Sequence, residues 1–318
     1  MKIPHLLAIA LMLQPLFAEP TPLADLEAAA TSGNATAQFE LGRSYFRGTG
    51  VPKDNEKALD WIRLAADQGQ PDAIVSMGYF YSQGMVLEKN EAKAIEWFRK
   101  GADAGSPVSQ LNLGLMLRQA KTLDRQHEES MKWLIQAADS GNPDAVRTLG
   151  QLYFLGDALL MPDPKKSIPY LTQAAEAAEA AEAGDPVSQN MLGVAYREGY
   201  TGSVDREKAK EWFEKAAVLG EVKAQSNLAH ILGVESPASP DRKEAVKWLL
   251  IAKDQGEATS TKTYKEIIST IPPVLLAAAQ KEANKFLLLA RAKAHKAKAT
   301  PSPAVDDSQP AHSEKIGD

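Results

Sequence analysis

One stretch of about 36 residues is written six times along this chain, and that repetition restricts the fold more than any other feature of the sequence. Its clearest copy, Ala37 to Gly69, reads AQFELGRSYFRGTGVPKDNEKALDWIRLAADQG. The closing glycines fall at Gly33, Gly69, Gly105, Gly141, Gly184, Gly220 and Gly256, in steps of 36, 36, 36, 43, 36 and 36. A Leu-Gly pair keeps the same beat at Leu41-Gly42, Met77-Gly78, Leu113-Gly114, Leu149-Gly150, Leu192-Gly193 and Leu228-Ala229. So does one aromatic: Trp61, Trp97, Trp133, Tyr170, Trp212 and Trp248. A period of this size means stacked helical units, each unable to bury its apolar face alone. Length by itself would allow two domains, but a stack grows without needing a second core.

Within a unit, a small residue, the Leu-Gly pair and an aromatic or Leu stand at offsets 0, 4, 5 and 8, as in Ala37, Leu41, Gly42 and Tyr45. Those offsets share one helical face. Interior glycine costs a helix roughly 0.5–1 kcal/mol against Ala, so its recurrence implies the close approach of a second helix. Ser106-Pro107, Asn142-Pro143 and Asp185-Pro186 each set a capping side chain before a Pro at the first helical position. The second helix is expected to open at Asp54, Asn90, Asp163, Asp205 and Asp241, with Gln126 a poor cap in the third unit. Its aromatic recurs between small residues and reads as core rather than as a ligand stripe.

Residues 1–18, MKIPHLLAIALMLQPLFA, have the form of a secretory signal: Lys2, an apolar run from Leu6 to Leu13, and a cleavage site after Ala18. The alternative is an apolar N-terminal extension or anchor, although the run falls short of the roughly 20 residues a span needs. The chain has no cysteine, which excludes disulfides, Cys-based zinc sites and Cys lipidation. A net charge of −5 gives no electrostatic case for nucleic acid.

The pattern A-x-x-x-L-G-x-x-Y-x-x-G of Ala37 to Gly48, followed by Gly50-Val51-Pro52, Asp54, Lys57-Ala58, Trp61, Ala65-Ala66 and Gly69, resembles the Sel1-like repeat family, relatives of the tetratricopeptide repeats. The third and sixth copies are degraded, with Ala120 and Glu235 where the loop glycine is expected and Leu in place of Tyr. The resemblance implies an all-α, right-handed α/α superhelical solenoid. Its expected parts are a signal peptide (1–18), an N-terminal capping helix (19–33), repeats at 34–69, 70–105, 106–141, 142–184, 185–220 and 221–256, C-terminal capping helices (257–298) and a disordered tail (299–318). Seven extra residues fall in the fourth unit, six of them in AAEAAEAAEAG (174–184). They predict either an offset between units four and five or a protrusion into solvent.

The histidines are scattered without metal-ligand spacing, Gly48-Thr49-Gly50 lacks the Lys-Ser/Thr of a phosphate loop, and no Gly-x-Ser-x-Gly occurs. The sequence therefore calls for no cofactor, no metal and no catalytic residue. In solenoids of the resembled family the first helices line a concave surface, so positions that vary there are the candidates for partner contact. One residue after the Gly and one after the Tyr these are Arg43, Phe46, Tyr79, Ser82, Leu115, Arg118, Gln151, Phe154, Val194, Arg197 and His230. Two residues before the Leu they are Phe39, Val75, Leu111, Arg147, Asn190 and Ser226. Aromatics mixed with Arg43, Arg118, Arg147 and Arg197 suit an extended peptide or an acidic protein segment, read by Arg forks and apolar pockets. The same residues read equally as solvated surface.

The resemblance thus implies a non-enzymatic protein-interaction scaffold, exported to the periplasm or beyond. It also carries an alternative, a secreted penicillin-binding or β-lactamase-like enzyme, which the absence of cysteine weakens. A cytosolic adaptor would follow if residues 1–18 stayed uncleaved.

Overall fold

The computed structural model describes residues 23–119, 125–176, 184–235, 241–257, 265, 267–269 and 271–299. The proposed signal at 1–18, the loop at Ala120, residues 177–183 of the insertion, most of the stretch before Ile271 and the tail from Thr300 lie outside them. Every regular element among the described residues is helical: α1 (Leu23–Thr31), α2 (Ala35–Arg47), α3 (Asn55–Asp67), α4 (Pro71–Gln83), α5 (Glu91–Asp103), α6 (Pro107–Gln119), α7 (Arg125–Asp139), α8 (Pro143–Leu155), α9 (Pro164–Glu176), α10 (Pro186–Arg197), α11 (Arg206–Val218), α12 (Val222–His230), α13 (Arg242–Asp254) and α14 (Pro273–Ala299). A π-helical turn, Ile231–Glu235, prolongs α12. From α1 to α9 each helix packs on the next, as from α11 to α14, and contacts divide the chain into two compact units, Met1–Met191 and Leu192–Asp318, with the division inside α10.

The helix starts follow from side-chain chemistry. Asn34, Gln70 and Asn142 accept from the backbone N–H three residues on and so open α2, α4 and α8. Asp54, Asn90 and Asp205 open α3, α5 and α11 in the same way. Two expected caps differ. Asp241 sits in helical backbone without a capping bond, and its carboxylate lies 3.7 Å from Lys210 instead. Gln126 is not a cap, because α7 already begins at Arg125.

The loop between paired helices has a fixed geometry. Gly48 and Gly84 close α2 and α4 in left-handed backbone that a side chain would strain. The N–H of the next cap residue then donates back to the carbonyl of the first-helix tyrosine, from Asp54 to Tyr45 and from Asn90 to Tyr81, both at 2.9 Å.

The recurring interior glycine has a specific occupant. A Cβ at Gly42 would lie 2.6 Å from Ile62, one at Gly78 2.5 Å from the Phe98 ring, and one at Gly114 2.8 Å from Leu134. Gly150 meets Leu171, and Gly193 meets Phe213, in the same manner. The plug is therefore the residue after the recurrent aromatic. Ile62, Phe98, Leu134, Leu171, Phe213 and Leu249 are all fully buried. Trp133 and Trp248 are core as expected, whereas Trp61, Trp97, Tyr170 and Trp212 are only half-buried. The aromatic sits at the edge of the buried face and its successor at the centre.

Buried glutamines add polar links from the first, third and sixth units to the helix before each. Gln38 Nε2 donates to the Ala30 carbonyl (3.1 Å), Gln110 to Ala102 (3.4 Å) and Gln225 to Ala217 (3.2 Å). Gln68 and Gln255 donate in turn to the Gln38 and Gln225 side-chain oxygens. In the second and fourth units the equivalent residues are Ile74 and Val146, also buried. In the second unit Lys100 Nζ donates to the Ala66 carbonyl in place of a glutamine.

Candidate functional site

The first-helix positions proposed from sequence divide by burial into two groups. Phe39, Val75, Tyr79, Leu111, Arg118 and Asn190 are buried, so they are packing residues and not an open surface. The physical reason is the stack itself: each first helix is flanked by its neighbours, and residues two before the Leu point into those seams. Phe39 packs with Ile62, Ile74 and Met77, and Leu111 joins the core of α7 and α8. Tyr79 lies against Phe98 edge-on, and its hydroxyl accepts from Asn112 Nδ2 at 2.9 Å. Burial, opposed in part by that Asn112 bond, pushes the Tyr79 phenol up to about 12.

Arg118 is a clamp. Its side chain is 4% exposed, and its Nε and Nη2 each bond one Asp157 oxygen at 2.6 Å. Nη1 lies 3.1 Å from His127 Nδ1, which must accept because a guanidinium only donates. Asp157 Oδ1 also accepts from the backbone N–H groups of Leu159 (2.8 Å) and Leu160 (3.0 Å). Burial raises the Asp157 carboxyl, but the Arg118 bonds and charge with the two backbone N–H groups outweigh it and hold the group below the usual carboxylate range. The arrangement ties α6 and α7 of the third unit to the loop after α8. Neither Asp157 nor His127 was a candidate in the sequence.

The other three candidate arginines also carry partners. Arg43 bonds Glu40 at 2.8 Å and lies over the Phe39 ring. Arg147 pairs with Asp144 (3.0 Å) and Asp185 (3.3 Å). Arg197 bonds Glu198 (2.9 Å) and the Asn227 side chain (3.3 Å). Arg47, beside Arg43, is held below the usual guanidinium range by burial and by the Arg43 charge.

What stays accessible in the compact unit Met1–Met191 is a repeated pair of positions near the C-terminal ends of α2, α4, α6 and α8. The second member is Arg47, Gln83, Gln119 or Leu155, with Gln83, Gln119 and Leu155 exposed. The first member is Arg43, Leu115 or Gln151, all half-buried, Tyr79 being the buried exception. Phe46, Ser82 and Phe154 are half-buried beside them. In the compact unit Leu192–Asp318, Val194, Arg197, Ser226 and His230 are half-buried on α10 and α12.

The fold and this surface define the class: an all-α repeat protein of paired helices whose variable residues lie on its first helices. It belongs to the Sel1-repeat family, the Sel1 repeat matching residues 35–70, 71–106, 107–142, 143–179, 186–221 and 222–257. The structure is similar to that of c5321, a protective antigen of uropathogenic Escherichia coli strains with an SLR fold, at 26% identity and a TM-score of 0.68. That alignment covers 90% of this chain and 60% of c5321, so the protein spans about three fifths of that relative's length. It is also similar to a Sel1 repeat protein from Oxalobacter formigenes, at 29% identity and a TM-score of 0.57, covering 73% of this chain and 93% of the other. None of the curated proteins compared with the chain matches it. Sel1 repeats typically bind proteins, and proteins built from them are generally non-enzymatic scaffolds. No described helix is long and apolar enough to cross a membrane.

Proposed function

We propose that the protein is an exported, non-enzymatic scaffold that holds an extended protein segment along the first-helix ends of its first unit. The observation that carries this reading is the accessible row from Arg43 and Arg47 through Gln83, Leu115 and Gln119 to Gln151 and Leu155, on helices fixed by the glycine joints. Cations stand at one end of the row, and Leu115 and Leu155 at the other. A partner segment with a carboxylate near Arg43 and Arg47 and an apolar side chain near Leu155 fits that order. Arg43 already pairs with Glu40, so the incoming carboxylate adds to an existing pair. Arg118 takes no part, because Asp157 occupies its fork.

The test is affinity capture from an envelope fraction, with wild type beside an Arg43→Ala/Gln151→Ala/Leu155→Asp variant. Loss of one specific partner from the variant supports the row, and equal recovery of the same proteins rules it out. Sequencing the N-terminus of the protein made in cells tests export separately: a start at Glu19 supports it, and a start at Met1 overturns it.

A further inference from the structure

The last helix, α14, packs by one face only. Ala279 and Ala283 are fully buried, and Leu276, Phe286 and Leu287 pack beside them against the core that includes α13. Three contacts show that α13 and α14 run parallel and in register: Lys243 to Glu282 at 2.8 Å, Trp248 edge-on to Phe286, and Asp254 to Arg291 at 2.8 Å. Helix α13 ends at Asp254, the residue paired with Arg291, while α14 continues to Ala299. Its last eight residues thus run about 12 Å past the helix it packs on, at 1.5 Å per residue.

The opposite face carries an outward stripe at helical spacing: Val274, Ala277, Lys281, Lys285, Leu288 and Ala292, all exposed. Val274 is 80% exposed and Leu288 69%, with Leu289 next to it at 54%. From Lys285 to Ala299 the sequence holds Lys285, Arg291, Lys293, Lys296 and Lys298 and no carboxylate, in a chain whose net charge is −5. Large apolar side chains left in water beside a one-signed run of cations are the two components of an interfacial helix. Lysines on such a stripe reach the headgroup layer while their stems lie along the apolar surface.

We propose that this outward face of α14 docks on an anionic lipid surface, with Leu288 and Leu289 entering the headgroup boundary and the lysines neutralising lipid charge. A lipid surface is favoured over an acidic protein because the stripe lies on the side of α14 turned away from α13, where its residues are exposed and no described helix forms a groove with it. This inference is independent of the first-helix row.

The experiment is co-sedimentation of the full chain with vesicles of phosphatidylglycerol and phosphatidylethanolamine, or of phosphatidylcholine alone, at low and high salt. Variants are Lys281→Ala/Lys285→Ala, Leu288→Ala/Leu289→Ala and a chain ending at Ala299, each checked for helix content by circular dichroism. The full chain is taken from Glu19, because the apolar run of residues 1–18 would bind either vesicle type by itself. The expected result is binding to the anionic vesicles that is lost at high salt and weakened about tenfold or more by the double-lysine change. The double-leucine change is expected to weaken it as well, with helix content kept. Equal binding to both vesicle types overturns the proposal, as does anionic binding that ignores both variants. Binding seen only when the chain ends at Ala299 also overturns it, because residues 300–318, which include Asp306, Asp307 and Glu314, then cover the face.

Discussion

The second and third repeats of the first unit have the same helix pair and different ways of closing it. In the second, Gly84 ends α4, Asn90 caps α5 and bonds back to Tyr81, and Lys93 lies 5.2 Å over the Tyr81 ring. In the third, Leu117 stands in place of that tyrosine and Glu129 in place of that lysine. Arg118 there reaches out to Asp157 of the fourth unit. What does not change is the joint: Gly78 receives Phe98, Gly114 receives Leu134, and the Ser130 hydroxyl donates to the Gly114 carbonyl across the second of these. The pair is therefore set by packing at the glycine. The polar contacts around the joint differ between the two repeats, a lysine over a tyrosine in one and an arginine bonded to Asp157 in the other.

The largest effects should come from the joint. Phe98→Ala and Leu134→Ala each empty a fully buried plug and should cost about 3–5 and 2–5 kcal/mol respectively, measured by guanidinium unfolding. Gly78→Ala drives a methyl into the Phe98 ring, and overpacking of this kind costs about 1–3 kcal/mol, partly offset by the gain in helix propensity. If Leu134→Ala proved nearly neutral while Phe98→Ala did not, the clamp would have replaced the joint in the third repeat, and the comparison would fail.

The clamp comes next. Arg118→Ala leaves Asp157 with a charge and no fork; breaking a buried pair costs about 3–5 kcal/mol, and the 28% exposure of the Asp157 side chain reduces this to about 2–3. Arg118→Lys should restore little, since one ammonium cannot make both bonds. The sign with pH follows from the lowered Asp157 carboxyl. Its stabilisation is complete above the unfolded value of about 3.9 and is lost as pH falls through the lower folded value. Acid titration of stability should therefore be shallower in Arg118→Ala than in wild type. Identical slopes would mean that Asp157 is not held by the clamp.

These two layers were not equally legible in the sequence. The joint was written in the 36-residue beat, because packing that recurs in every unit leaves a periodic signal. The aromatic reads as core from the sequence, yet the plug is the residue after it: Trp97 and Phe98 are adjacent, and helical periodicity does not resolve the centre of a face from its edge. Arg118 and Asp157 lie 39 residues apart and occur once, so no spacing rule joins them. The candidate surface was half legible. The variable positions were found, but Phe39, Val75 and Leu111 are variable because they fill different seams. The glutamine row could have been found, since Gln38, Gln110, Gln189 and Gln225 follow the small residue in an otherwise apolar series.

That row gives a smaller prediction. Gln110→Ala loses a buried bond to the Ala102 carbonyl and leaves a gap, for about 1–2 kcal/mol. Gln110→Val should cost less, because Ile74 and Val146 occupy the equivalent place in the neighbouring units. A Val variant as costly as Ala would show that the amide bond, not the filled volume, holds the seam between units.

The smallest effect tests why the degraded repeats differ in two positions at once. Three residues after the second-helix cap, the six units carry Lys57, Lys93, Glu129, Lys166, Lys208 and Glu244. Against them on the first helix stand Tyr45, Tyr81, Leu117, Tyr153, Tyr196 and Leu232, so lysine accompanies tyrosine and glutamate accompanies leucine. Lys57, Lys93 and Lys208 lie 5.3, 5.2 and 5.4 Å from their ring centroids. In the fourth unit Tyr153 stacks on Tyr170 instead. A cation over an exposed ring is worth about 0.5–1 kcal/mol. A double-mutant cycle on Tyr81→Leu and Lys93→Ala should therefore return a coupling of about that size, and the same cycle on Tyr153 and Lys166 close to none. Equal couplings would mean that the lysine acts through the helix start rather than the ring. The paired change in the third and sixth units would then accompany the replacement of the loop glycine by Ala120 and Glu235, with the aromatic contact incidental to it.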